Sequence, residues 1–190
     1  MKTKSPKKET LNSTVAKAIK EKFQIKNVNA VPRVIRAHVN VGIGSYVNAG
    51  NKDFAHIIEN VSIITGQKPI VTKAKKAISN FKLREGMPVG VSVTLRKNNL
   101  ESFLVRLINI ALPRVRDFRG LTKKSFDGKG NLHIGIKECN IFPEVNPDDI
   151  SKVHGMQISI ITSAKNDEEG FALLESMGFP FKESKNKSNN

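Results

Sequence analysis

The chain is short of cysteine, of tryptophan and tyrosine, and of acids, and each shortage closes off a class of chemistry. A single cysteine, Cys139, forms no internal disulfide and has no second thiol nearby for a metal knuckle, so the fold must stand on its core. As a nucleophile Cys139 would need a base and an orienting group; only His133 stands near it in sequence, and a small buried apolar residue is the preferred reading. Tryptophan is absent and tyrosine occurs once, which weakens any account based on aromatic base stacking. No apolar run of about 18 residues occurs. The Lys-rich start, Met1 to Lys8, leads into an amphipathic pattern rather than an apolar stretch with a cleavage site, so neither a membrane span nor a secretion signal is expected, and a cytoplasmic protein is.

Acids are outnumbered, 17 against 32 Lys and Arg, which leaves a net charge of +15. Self-repulsion of that size is tolerable when a polyanion neutralises it, and RNA, DNA and acidic lipid are the candidates. Lipid is disfavoured, because the basic stretch lacks the continuous apolar helix face of an interfacial anchor. That stretch runs from Gly66 to Lys97 and carries eight Lys or Arg against the single acid Glu85. Its cations are spaced among Pro69, Thr72, Phe81, Gly86 and Pro88, residues that shape loops and turns. An ordinary solvated face is the alternative for Lys73, Lys75, Lys76, Lys82 and Arg84, but few acids lie nearby to pair with them. Asn40, Gln67, Ser92 and Thr94 carry the donors and acceptors suited to base edges and 2′-hydroxyls.

Periodicity supplies the frame. Leu11, Val15, Ile19 and Phe23 recur every four residues within Thr10 to Phe23, an amphipathic helix pattern. From Arg33 to Val41 the period falls to two, with Ile35, Ala37, Val39 and Val41 facing one way and Arg36, His38 and Asn40 the other. A turn spans Gly42 to Gly50. A helix follows over Asp53 to Thr65, with Phe54, Ile57, Ile58, Val61 and Ile64 on one face and Gly66 as its stop. Pro69 to Thr72 reads as a strand. So does Val89 to Arg96, with Val89, Val91, Val93 and Leu95 apolar and Ser92, Thr94 and Arg96 opposite. Asn99 to Ala111 is a strongly apolar helix ended by Pro113. Asp127 to Asn131 turns into a strand through Leu132, Ile134 and Ile136. Met156, Ile158 and Ile160 mark another strand, and Asp167 to Met177 a last helix with acids in its first turn. Two strands of one design, apolar on one side and polar on the other, predict an α+β fold: a mainly antiparallel sheet with packed helices on one face and an open hydrophilic face.

Catalytic and metal chemistry find no footing. His38, His56, His133 and His154 are scattered, without the spacing of a zinc or iron site. Gly42-Ile43-Gly44 departs from a dinucleotide fingerprint at Val47, and no Lys-Ser/Thr pair follows it. A plain turn, or backbone approach to an RNA phosphate, remains.

The strings VPRVIRAHVNVGIG (31–44), TGQKPIVTKAKKAISNFKLREGMPVGVSVTLR (65–96), LPRVRDFRGLTKKSFDGKGN (112–131), IFPEV (141–145) and DEEGFALLESMGFPF (167–181) resemble the bacterial-type large-subunit ribosomal protein L-five family, over nearly the whole chain between its tails. The resemblance implies one α+β ribosomal-protein domain over residues 10–181, between a basic tail (1–9) and a C-terminal tail (182–190) expected to be disordered when free. It implies a structural, non-catalytic protein without a cofactor, a metal or a small-molecule substrate. Its expected partners are 5S ribosomal RNA, which it would help attach in the central protuberance, and the large-subunit ribosomal RNA. Motif by motif, 5S contacts carry over to Asn40, Gln67 and Thr94, with Lys68 and Arg96 as neighbours. A loop toward the peptidyl-site transfer RNA carries over to Lys73, Lys75, Lys76 and Lys82. The family also touches a small-subunit head protein. The sign of charge reverses between Glu138 and Phe171, so Glu144, Asp148 and Asp149 are the candidates for that bridge. Leu132, Cys139 and Ser45-Tyr46 depart from the family's usual residues, outside the carried-over contacts. A non-ribosomal RNA-binding assembly factor is the alternative; it would leave mature subunits.

Overall fold

The structure, a computed structural model, describes residues 19–20, 23–25, 27–50, 53–145 and 153–182. Five strands form one sheet: β1 (Val34–Gly42), β2 (Ile70–Lys73), β3 (Pro88–Leu95), β4 (Leu132–Ile136) and β5 (Met156–Thr162). Their order is β2-β3-β1-β5-β4, and every neighbouring pair is antiparallel. The helices are α1 (Gly44–Asn48), α2 (Ala55–Thr65), α3 (Lys97–Arg106) and α4 (Asp167–Ser176).

Alternation in the strands sets the two faces. Ala37, Val39 and Val41 of β1, Val91, Val93 and Leu95 of β3, Ile158 and Ile160 of β5 and Leu132, Ile134 and Ile136 of β4 are all buried. They meet Ile57, Val61 and Ile64 of α2, Leu100, Phe103 and Leu104 of α3 and Leu173 and Leu174 of α4 in one core, the layered solution for a sheet with one apolar face. Phe103 stacks on Phe142 with centroids 6.2 Å apart, and Cys139 lies in the same core. The pattern over Thr10 to Phe23 falls mostly outside the described residues; Ile19 is completely buried.

Three expectations need correction. Ile35 does not face the core: it is 47% exposed and Val34 is buried in its place. Val34 pairs with Thr162 and Arg36 with Ile161, so β1 carries one extra residue against β5, and this bulge resets the alternation. Gly42 to Gly50 is not a plain turn, since Gly44–Asn48 closes a short helix. Nor does the apolar helix end at Ala111: α3 passes through a π-helical stretch, Leu107–Ala111, into a last turn, Leu112–Arg114. A π-turn widens the backbone ahead of Pro113, whose ring and missing N–H an α-helical ladder would not accommodate.

Helix ends follow local chemistry. Gly66 ends α2 at φ 67°, donating its N–H to the Ser62 carbonyl, the left-handed cap that glycine adopts without a Cβ penalty. Asn166 caps α4 by accepting the Glu169 N–H at 2.9 Å, while the Glu169 carboxylate accepts the Lys165 N–H at 3.0 Å, a reciprocal arrangement of the capping-box kind.

Candidate nucleic-acid interface

The second face of the sheet carries polar side chains in rows that the strand register draws. One row crosses all five strands, with the polar Ser92, Asn40 and Gln157 at its centre and Ile70 and Gly135 at its two ends. The next runs Thr94, His38, Ser159, His133 across four. A hydrogen bond of 3.1 Å joins His38 Nδ1 to Thr94 Oγ1, and another of 2.9 Å joins His133 Nδ1 to Ser159 Oγ. Asn40 and Thr94 therefore share this face, each half-buried, and Thr94 is held in one orientation by a histidine. Beside Asn40 the surface is kept low by Gly90, where a Cβ would stand 2.9 Å from Thr72 Oγ1 and 3.2 Å from the Val41 carbonyl oxygen.

Gln67 and Lys68 are exposed in the turn that enters β2. Thr65 shapes that turn: its hydroxyl donates to the Val61 carbonyl at 2.6 Å and accepts the Gln67 N–H at 3.4 Å. Because β2 runs antiparallel to β3, the chain enters β2 at the end of the sheet where β3 leaves it, and there Arg96 is exposed just past Leu95. Asn40 and Thr94 thus lie on the face itself, and Gln67, Lys68 and Arg96 at one end of it.

Lys73, the last residue of β2, and Lys75, Lys76 and Lys82, on the arm that joins β2 to β3, are all exposed. The arm is tied by its own backbone: Ala74 N–H to the Met87 carbonyl at 2.8 Å, and Ile78 and Leu83 exchanging bonds of 2.9 and 3.1 Å. Asn48 of α1 donates its side-chain N–H to the Phe81 carbonyl at 3.0 Å.

Glu144 is occupied within the molecule. Arg106 holds its carboxylate through Nη1 at 2.5 Å and donates from Nη2 to the Ile64 carbonyl at 3.0 Å; the other Glu144 oxygen is buried without a hydrogen-bond partner among the described residues. Asp148 and Asp149 lie outside the described residues. Among the described residues, no group of three His, Cys, Asp or Glu side chains is arranged to hold a metal, and no helix is long and apolar enough to cross a membrane.

Sequence reasoning passed over His38, His133 and Ser159. The only signal was their place on the polar side of period-two strands; their meeting depends on which strands become neighbours.

These features define a class: a basic α+β protein with helices on one sheet face and an open polar face rimmed by cations. Sequence comparison narrows it. Residues 27–84 match the family described as Ribosomal protein L5, and residues 88–181 match the model of that ribosomal family's C-terminus. The chain is 54% identical over 175 residues to "Large ribosomal subunit protein uL5" of Microcystis aeruginosa, covering 92% of this chain and 97% of the relative. It is 51% identical over 174 residues to the protein of that name from Syntrophotalea carbinolica (92% and 94%). It is 50% identical over 177 residues to "Large ribosomal subunit protein uL5c" of Porphyra purpurea (93% and 97%). The chain belongs to the ribosomal protein L5 family. It is a structural, non-enzymatic constituent of the large ribosomal subunit.

Proposed function

We propose that the open sheet face binds 5S ribosomal RNA and helps attach it to the rest of the large subunit, in the central protuberance, alongside large-subunit ribosomal RNA and in cytoplasmic ribosomes. The observation that carries the reading is the two neighbouring rows, one in which Asn40 faces Ser92 and one in which Thr94 is oriented by His38, with Lys68 and Arg96 exposed at the edge. Cations at the edge meet phosphates and set position, while neutral donors and acceptors on the face read base edges and 2′-hydroxyls. The arm bearing Lys73, Lys75, Lys76 and Lys82 contacts the peptidyl-site transfer RNA. The acid-rich segment that includes Glu144, Asp148 and Asp149 meets a basic small-subunit head protein. Since Glu144 is engaged by Arg106, Asp148 and Asp149 supply the attraction.

Filter binding of the full chain to isolated 5S ribosomal RNA, with transfer RNA as competitor, tests the central claim. The double substitution Asn40→Ala and Thr94→Ala is expected to weaken 5S binding about ten-fold or more, two lost polar contacts at roughly 1 kcal/mol each; because Thr94→Ala also removes the bond to His38, the melting temperature is expected to fall by about 2–4 °C, and binding is measured well below it. Equal affinity of the unaltered protein for 5S and transfer RNA would sink the reading.

A further inference from the structure

The tip of the arm carries an apolar surface that its charge does not explain. Phe81 closes the 3₁₀ turn Ser79–Phe81 and is 70% exposed; Ile78, just before that turn, is 44% exposed. The next residue, Lys82, stands at φ 52°, a left-handed conformation that non-glycine residues seldom adopt. With the Phe81 carbonyl also tied to Asn48 at 3.0 Å, the backbone beneath the ring is fixed and the ring itself points away from the core. A lone exposed phenylalanine is ordinary on a protein surface. This one is different in its surroundings: Lys75, Lys76, Lys82 and Arg84 are exposed on the same arm, and Glu85 is the one acid in the stretch.

We propose that Phe81 is a nucleobase-stacking residue, with Ile78 extending its apolar surface. The ring lies against the open face of an unpaired or stack-terminal base of RNA while the neighbouring cations take the flanking phosphates. Every base offers such a face, so stacking adds affinity without demanding a sequence. The cationic rim selects a polyanion over a neutral apolar pocket. Scarcity of tryptophan and tyrosine in the chain does not oppose this, because one phenylalanine held outward on a fixed turn is enough for one base. The inference rests on the assignment of the arm to transfer RNA, and names the group on that RNA which the arm grips.

The absence of tryptophan from the chain makes Phe81→Trp a unique fluorescent reporter at a surface position. Titrating the full-length variant with transfer RNA is expected to quench its emission, as stacking on a base does. Phe81→Ala is expected to bind transfer RNA about ten-fold more weakly, and Phe81→Tyr like the unaltered chain. The slope of log affinity against log salt stays the same in all three, because no phosphate contact is lost. Unquenched emission at saturating transfer RNA, or undiminished affinity of Phe81→Ala, overturns the proposal while leaving the arm's contact with RNA standing. No binding of transfer RNA by the unaltered chain overturns both. Emission that responds to ribosomal proteins and not to transfer RNA assigns the tip to a protein and also overturns it.

Discussion

Asp127 holds the loop before β4 through hydrogen bonds from the Lys129 N–H at 2.9 Å, the Asn131 N–H at 3.1 Å and Asn131 Nδ2 at 2.7 Å, with His133 Nε2 at 4.0 Å. Burial pushes its carboxyl upward, but these donors and the nearby imidazole outweigh it, and the group titrates below its ordinary value of 3.8. A carboxylate whose affinity for protons falls on folding contributes stability above its ordinary value and loses it as pH falls through the folded value. Asp127→Ala is therefore expected to be less stable than the unaltered chain by about 1 kcal/mol at pH 7, an exposed group's hydrogen bonds being worth no more than that. Thermal melts from about pH 7 down to about pH 2 should show the gap close below the ordinary carboxylate value. A gap that stays constant across that range would mean the side chain acts by shape and not by charge.

Between elements, the tightest fit is that of α4 on the same loop. Asp167, at the start of α4, accepts the Gly128 N–H at 3.2 Å and the Gly130 N–H at 2.8 Å. The two backbones come so close that a Cβ on Gly170 would stand 2.5 Å from the Gly130 carbonyl oxygen and 2.7 Å from its Cα. Both contacts are to backbone, so Gly170→Ala has to push helix and loop apart, at about 1–3 kcal/mol. A melting temperature lower by roughly 3–10 °C is expected in calorimetry, and an unchanged value would mean α4 is not seated this closely. Only part of this fit is legible in the sequence. The alternation of Val91, Val93 and Leu95 and the stop at Gly66 follow from local rules. Ile35 misleads those rules because its bulge belongs to the pairing with β5. Pro113 misleads them because the π-stretch before it changes what a proline can follow. In the candidate interface, Asn40 and Thr94 are legible as polar positions on apolar-backed strands. The His38–Thr94 and His133–Ser159 bonds and the Arg106–Glu144 pair are not, since each joins elements that only the finished fold makes neighbours.

At the scale of the whole molecule, an excess of +15 draws the protein toward RNA, but charge of this kind acts over roughly a Debye length, about 8 Å at physiological salt. Beyond that range the total matters less than where each cation stands. The open face has Lys68 and Arg96 at its edge, whereas Lys73, Lys75 and Lys76 stand on or at the base of the arm. On the proposed reading, 5S ribosomal RNA and transfer RNA would then meet separate sets of cations, each releasing its own counterions. Replacing Lys73, Lys75 and Lys76 together with alanine removes up to three phosphate contacts from the arm and none from the face. The salt slope for transfer RNA is then expected to flatten by about 2, at roughly 0.7–0.9 per phosphate, while the slope and affinity for 5S ribosomal RNA stay near those of the unaltered chain. Affinities measured for both RNAs at about four salt concentrations separate the possibilities. A 5S slope that flattens as much as the transfer-RNA slope would show one continuous cationic surface, and the division between face and arm would have to be abandoned.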